Sequence, residues 1–478
     1  GLIGTDIHRV SENIEKVLTD QFGYECEIIK LSSFIKDYGT FETSSPDGSP
    51  DFIKKMDYIN EGNHLRKKHG NSILAELAIN KIIVDRQEEN GEESNHFKSR
   101  RKCYILDSIK NQDEEEILRT VYRDLFYFIS VFSPKDSRIK KLQDQGLTDL
   151  EIFQLIDRDS GEELSYGQTV RITFTKADLF LRIDNDSDPI LQRKIKRFLD
   201  LIFNTEIHTP TQSETAMYHA FSAAGNSACL SRQVGASITD SNGNLISIGW
   251  NDVPRFGGNL YMNNKEFEDS TDLRCVNIDG GKCFNDQEKI SISNQIVTKL
   301  INEGLISEDK RDSAKKVLIN SKVRSLVEFS RSVHAEMHAI IMGAQKTGSS
   351  MIGGKLFCTT YPCHMCARHI IVAGIKEIYY IEPYTKSLTL KLHYDAITED
   401  EHDSGKVRIL MFDGISPKRY LDLFKLNFTK RKNSVGKKVT HSTKKGLPVS
   451  AISLEAIPTL ESAVTRILIE KGIIENEE

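Results

Sequence analysis

Apolar positions along the chain fall into short runs and longer periodic stretches. The short runs read as strands: Glu25 to Leu31, Arg101 to Asp107 and Tyr127 to Phe132 in the first half, then Gln233 to Ile238, Leu245 to Asn251, Lys355 to Thr360 and Ile375 to Ile381. Ser11 to Leu18 and Ile190 to Phe203 carry apolar residues at helical spacing and read as amphipathic helices. Strands alternating with helices predict an α/β protein. Gln233 to Ile238 and Leu245 to Asn251 alternate about Ser241-Asn242-Gly243-Asn244, the pattern of a hairpin. Thr40 to Pro50 reads as a loop, Asp85 to Lys102 as a solvated charge run, and Asp184 to Pro189 as a break before the second half. No apolar run approaches the roughly 18 to 20 residues of a membrane span.

Composition narrows the class without fixing it. With 478 residues, 38% hydrophobic and 28% charged, the chain can bury more than one core. Basic and acidic residues number 64 and 69, a net charge of −5 that gives no global pull toward nucleic acid. Eight cysteines without a disulfide-like framework fit a reducing cytoplasm, the expected compartment.

The chemistry concentrates at His334-Ala335-Glu336 and Pro362-Cys363-His364-Met365-Cys366. This H-x-E and P-C-x-x-C order is the signature of zinc deaminases. His334, Cys363 and Cys366 are the expected Zn2+ ligands, and three protein ligands leave one tetrahedral position open, the mark of a catalytic site. Glu336, not itself a ligand, is the expected proton shuttle. Pro362 at a first helical position would start a second helix whose amino end faces the metal beside that of the first. The competing reading is a closed structural zinc with His364 or His369 as fourth ligand. Such a site has no use for a carboxylate two residues from its His.

The hairpin at Gln233 to Asn251 resembles the opening hairpin of the deoxycytidylate deaminase family. The resemblance implies that Asn251 contacts the substrate sugar and that Ser231 to Gly235, with Arg232 and Gln233, lies beside the nucleotide, as does Ala335. Pro383 to Leu388, Leu392 to Ile397 and Phe412 to Phe424, together with a P-loop-like first half, resemble the bacterial anti-phage dCTP deaminase family. That resemblance implies an α/β chain in which a P-loop kinase-like three-layer domain (1–185) precedes a cytidine-deaminase-like α/β/α domain (205–428), followed by a basic linker (429–447) and a terminal element (448–478). It implies conversion of dCTP, dCMP or both to deoxyuridine nucleotides, depleting dCTP during phage infection, in a homo-oligomer. Arg232, Lys386 and Arg419 are the candidates for the substrate phosphate, with Lys386 favoured.

Outside the signature the readings stay open. Gly1 and Gly4 bracket a strand entering a phosphate loop, but Thr5 to Val10 supplies no Gly-Lys-Ser/Thr, and Asp6 puts negative charge where phosphate should sit. That half is either a nucleotide sensor or an inactive scaffold. Cys275 and Cys283, in an insertion from Asp269 to Gln287, are free thiols or part of a second zinc site, which some deoxycytidylate deaminases carry. Lys430-Arg431-Lys432, Lys437-Lys438 and Lys444-Lys445 form a solvated linker or a surface for an inhibitory small RNA. The two rival functions are a nucleic-acid cytosine or adenosine deaminase and a non-catalytic nucleotide sensor on a deaminase scaffold.

Overall fold

The structure is a computed structural model that describes all residues except 42–46, 91–100, 162–169, 185, 264–271, 385–386, 427–430, 440, 449–454 and 476–478. The chain divides into two compact units, Gly1–Pro210 with Phe412–Glu478, and Thr211–Met411.

The first unit is α/β. Strands β1 (Leu2–Gly4), β4 (Ile129–Phe132) and β5 (Leu179–Arg182) form a parallel sheet in the order β1-β4-β5, while β2 (Glu25–Lys30) and β3 (Lys102–Asp107) pair in parallel with each other. The Ile109 N–H, just past β3, donates to the Leu2 carbonyl at 2.9 Å, which ties the two ladders together. Helices Ile7–Val17 and Asp188–Phe203 bury one face each, and Val10, Ile14, Leu191, Ile195 and Phe198 join Leu2, Val131 and Leu181 in one core.

The loop after β1 is not built like a phosphate cradle. Gly1 lies at the amino end of β1, away from that loop. Gly4 sits at φ 120°, and a Cβ there would collide with the Val131 carbonyl, so close approach of β4 explains the glycine. Asp6 stands at the start of helix Ile7–Val17 in the left-handed conformation, with its carboxylate paired to Lys141. The residue at the helix end is thus acidic, which puts negative charge close to where a phosphate would bind.

Residues 412–478 belong to this unit, which moves the expected boundary at 428. Gly414–Ile415 adds an antiparallel edge to β5. Helix Ile457–Glu470 packs on helix Ile73–Asn90, with the Arg86 guanidinium donating to Glu461 at 2.8 Å and Lys471 to Glu76 at 2.6 Å. An apolar face bearing Ile457, Val464 and Leu468 needs such a partner, which is why this segment is not a detached tail. Within the stretch expected to be a linker, Lys432 and Lys438 bridge in antiparallel fashion about a turn in which the Asn433 side chain accepts from the Val435 and Lys437 N–H groups.

Among the described residues the second unit holds six strands: β6 (Gly235–Thr239), β7 (Leu245–Trp250), β8 (Lys355–Thr360), β9 (Glu377–Glu382), β10 (Ile397–Thr398) and β11 (Val407–Met411). Their order is β10-β11-β9-β8-β6-β7; β6 runs antiparallel to β7 and β8, and the remaining pairs are parallel. The expected hairpin is present as β6 and β7, with Asp240 capping its turn through the Asn242 and Asn244 N–H groups. Helices cover both faces. The Ser237 hydroxyl donates to Ala216 of helix Gln212–Ala224, whereas Ser247, paired with Ile238, donates to Ala339 of helix Ala335–Thr347, both at 2.7 Å. Alternate residues of a strand face opposite sides, so the two helices lie on opposite faces. Gly249 permits the second contact, because a Cβ there would run into the backbone of Ala335 and Ala339.

Candidate active site

An antiparallel bridge between Asp252 and Val333, with the Val333 N–H donating to the Asp252 carbonyl at 2.9 Å, delivers the chain to His334. His334 is the extended residue capping helix Ala335–Thr347. Cys363 caps helix His364–Val372, and Cys366 lies in its first turn. The expected helix start at Pro362 is corrected by two residues. Pro362 precedes the cap, and its carbonyl accepts from the Ser387 and Thr389 hydroxyls at 2.8 and 3.1 Å, which fixes the loop that carries Cys363.

Both sulfurs lie 3.3 Å from His334 Nδ1, and the three ligand atoms fall within 4.8 Å of one another. His369 Nδ1 faces the Met365 carbonyl at 2.7 Å, and His364 Nε2 is 3.9 Å from Glu328, so neither joins the group. The closed four-ligand reading therefore has no fourth ligand among the described residues. One imidazole nitrogen and two thiols in a compact, mostly buried triangle are the donor set zinc takes at a catalytic site. Zn2+ is the cofactor this region holds.

The electrostatics follow from crowding and burial. The Cys366 thiol donates toward Cys363 and, together with His334, pushes the Cys363 thiol down to about 4 against the effect of burial. Burial and that same donation push Cys366 up. At His334 burial favours the neutral ring, but Cys363 and the Glu336 carboxylate outweigh it and raise the imidazole to about 9. Metal ligands are thiolate and neutral imidazole, so loading this site releases the protons held there. Glu336, at 4% exposure, lies in the first turn of its helix. Burial and then the charge of Cys363 push its carboxyl above the usual range.

One turn beyond, His338 is buried with its Nδ1 accepting from the Trp250 N–H at 3.2 Å and its Nε2 3.0 Å from Asn259 Oδ1. The Nδ1 contact fixes the tautomer with the proton on Nε2, donated to Asn259. Burial holds this histidine below its ordinary value. Asp252 accepts from the Ala228 N–H at 3.0 Å and lies 3.6 Å from Arg274.

The remaining sequence candidates separate. Asn251 is buried, and its amide is engaged by main chain: Nδ2 donates to the Arg232 carbonyl at 2.8 Å, and Oδ1 accepts from the Val234 N–H at 2.7 Å. Gln233 donates to the Ser227 carbonyl at 2.7 Å. Arg232 donates to Glu382 at 3.0 Å, and its guanidinium lies 5.9 Å from the Tyr384 ring centre. Ala335 is fully buried at the start of the helix. Lys386 lies outside the described residues. Arg419 belongs to the first unit, where it is 3.6 Å from Asp178 and 3.4 Å from Asp422. Cys275 and Cys283 join no three-ligand group among the described residues; Cys283 Sγ is 3.3 Å from the Ser231 hydroxyl. Asp252, His338, Thr389 and Glu382 escaped the sequence reading, and Tyr384 and Ser387 entered it only as part of the Pro383 to Leu388 stretch, because none stands at a spacing that announces its partner.

Residues 210–382 match the family described as the cytidine and deoxycytidylate deaminase zinc-binding region. The deoxycytidylate deaminase of Enterobacteria phage T4 is 30% identical over 176 residues, which span 37% of this chain and 80% of that protein. That of phage T2 is 29% identical over 178 residues, 37% and 82% of the two chains. The dCMP deaminase of cyanophage S-TIM5, solved in complex with dCMP and dUMP, aligns over 43% of this chain and all of its own at 21% identity and a TM-score of 0.25. With its His334, Cys363, Cys366 and Glu336 in that matched span, the chain belongs to the cytidine and deoxycytidylate deaminase family.

Proposed function

We propose that the chain hydrolytically removes the 4-amino group of a deoxycytidine nucleotide, dCTP, dCMP or both, releasing ammonia and the deoxyuridine nucleotide. The observation that carries this reading is Glu336: a buried carboxyl in the first turn of the helix that His334 caps, set beside a three-ligand group rather than inside it. Bound zinc supplies Lewis acidity that brings water to a pKa of about 7. Glu336 accepts a proton from the attacking water and returns it to the ring nitrogen, then takes the proton of the hydroxyl left on C4 and passes it to the departing amine as the C4–N bond breaks. The first turns of helices Ala335–Thr347 and His364–Val372 keep positive dipole ends toward the negative thiolates. Arg232 offers positive charge for the substrate phosphate, and Asn251 holds the backbone on either side of Gln233, a clamp that supports the nucleotide-facing segment whether or not its amide also reaches a sugar.

Similarity to the phage T4 and T2 deoxycytidylate deaminases supports a nucleotide rather than a nucleic-acid substrate. For the first unit we propose a kinase-like scaffold without phosphoryl transfer, since its strands run parallel with helical crossovers while Asp6 and Lys141 close the helix end. Depletion of dCTP in defence against phage is the role we assign to the whole chain, with the hairpin around Lys432 and Lys438 as the surface for an inhibitory RNA. Purified protein incubated with dCTP, dCMP, deoxycytidine, CTP and single-stranded DNA tests the reading. Deoxyuridine nucleotide from dCTP or dCMP, absent with Glu336→Ala, supports it; uracil in DNA alone, or no product anywhere, overturns it.

A further inference from the structure

Arg232 is held more tightly than a rim arginine needs to be. Its carbonyl is fixed by Asn251 Nδ2 and the N–H two residues on by Asn251 Oδ1, so the backbone around it is clamped by one buried side chain. Its guanidinium donates one N–H to Glu382 at 3.0 Å and presents a face to Tyr384 at 5.9 Å, within the range of a cation–π contact. Among the described residues its other N–H groups have no acceptor. Arginine has five such donors in a rigid fork suited to phosphate oxygens, so most of the fork stays open. Glu382 is itself anchored: it closes β9, its carbonyl accepts from the Tyr361 N–H at 2.8 Å, and its second carboxylate oxygen lies 3.4 Å from the Thr360 hydroxyl. Tyr361 leads directly into Pro362 and Cys363, which places this cluster beside the zinc thiols.

We propose that Glu382 and Tyr384 are positioning residues that hold the Arg232 guanidinium as a preset receptor for the phosphate of the nucleotide substrate, an inference that rests on the deaminase reading above. An exposed pair of this kind contributes little stability. Its value is in orientation, since an arginine already aimed loses less freedom when the phosphate arrives.

A double-mutant cycle on the full-length zinc-loaded enzyme tests this, with dCMP, dCTP and unphosphorylated deoxycytidine as substrates. Turnover by the wild type first establishes the deaminase, so failure there is distinct from failure of the cycle. Arg232→Ala should raise KM for the nucleotides roughly tenfold or more and change kcat/KM for deoxycytidine far less. Glu382→Ala and Tyr384→Leu should each raise nucleotide KM several-fold with kcat little altered, and neither should add to the effect of Arg232→Ala. Glu382→Gln, which keeps an oxygen acceptor, should recover part of the loss. Additive effects in the Arg232→Ala background, an equal loss on deoxycytidine, or a fall in nucleotide KM for Glu382→Ala would each overturn the proposal, the last by making Glu382 a competitor for Arg232.

Discussion

Replacing Gly249 by alanine probes the contact that aligns the zinc ligands. The new methyl would stand 2.9 Å from Ala339 Cα and closer still to the Ala335 carbonyl oxygen and the Ala339 nitrogen, while ordinary contact begins at 3.4 Å. Both partners are backbone, so no side chain can swing aside. Helix Ala335–Thr347 must retreat from β7 by more than 0.5 Å, on the order of 1 Å at the tightest atoms. Overpacking of this kind costs about 1 to 3 kcal/mol. The catalytic consequence is larger in proportion. His334 caps the displaced helix while Cys363 and Cys366 ride on another, so the shift opens the ligand triangle, and a 1 Å misplacement can cost about 100-fold in rate. Urea unfolding, zinc content by mass spectrometry and kcat on the preferred nucleotide measure the three effects. A Gly249→Ala protein with the wild-type urea midpoint, full zinc and undiminished kcat would refute the argument that this glycine sets the strand-to-helix distance.

Other outcomes follow from single contacts. Glu336→Gln should retain zinc and fold but lose about 100- to 10,000-fold in kcat, as removal of a general acid–base does; a drop below tenfold would assign the proton transfer to another group. Glu377 sits between Lys355 on β8, at 2.9 Å, and Arg408 on β11; burial opposes its charge, but these partners and Tyr379 hold the carboxyl below its ordinary 4.5. A carboxyl lowered on folding contributes stability above that value and loses it as pH falls further, so Glu377→Gln should flatten the acid limb of a stability profile measured between pH 7 and 3. In the first unit, Glu114→Gln leaves the buried Arg66 facing an uncharged partner where Arg66 Nε and Nη2 now donate at 3.0 and 2.8 Å. A destabilisation of about 3 to 5 kcal/mol by denaturant titration is expected, and a change below about 1 kcal/mol would show that the pair is not maintained in solution.

Elements whose signal is local were legible in the sequence. The β6–β7 hairpin, the zinc triad and β8 could be read directly, because alternation, a Gly-containing turn and short ligand spacings are decided by neighbours in the chain. What depends on distant partners was not. Asn251 is held by main-chain groups 17 and 19 residues away, partners that nothing at Asn251 itself announces. Arg419 folds with the first unit although it follows the last strand of the second by only eight residues, and no residue type records which unit a strand edge will join. Glycines 4 and 249 likewise hide their reasons, since the absence of a side chain does not say whether a phosphate, a strand or a helix needs the room.

The discontinuity of the first unit has a consequence for synthesis on the ribosome. Residues 1–210 emerge before Thr211–Met411 but do not finish their own fold, because the edge strand at 414–415 and the segment whose Glu461 and Lys471 meet Arg86 and Glu76 come out after it. Thr211–Met411 is one uninterrupted stretch and can close its sheet in between. A nascent chain that has emerged through Met411 would therefore have the whole zinc-binding unit available to fold while helix Ile73–Asn90 still waits for its cover.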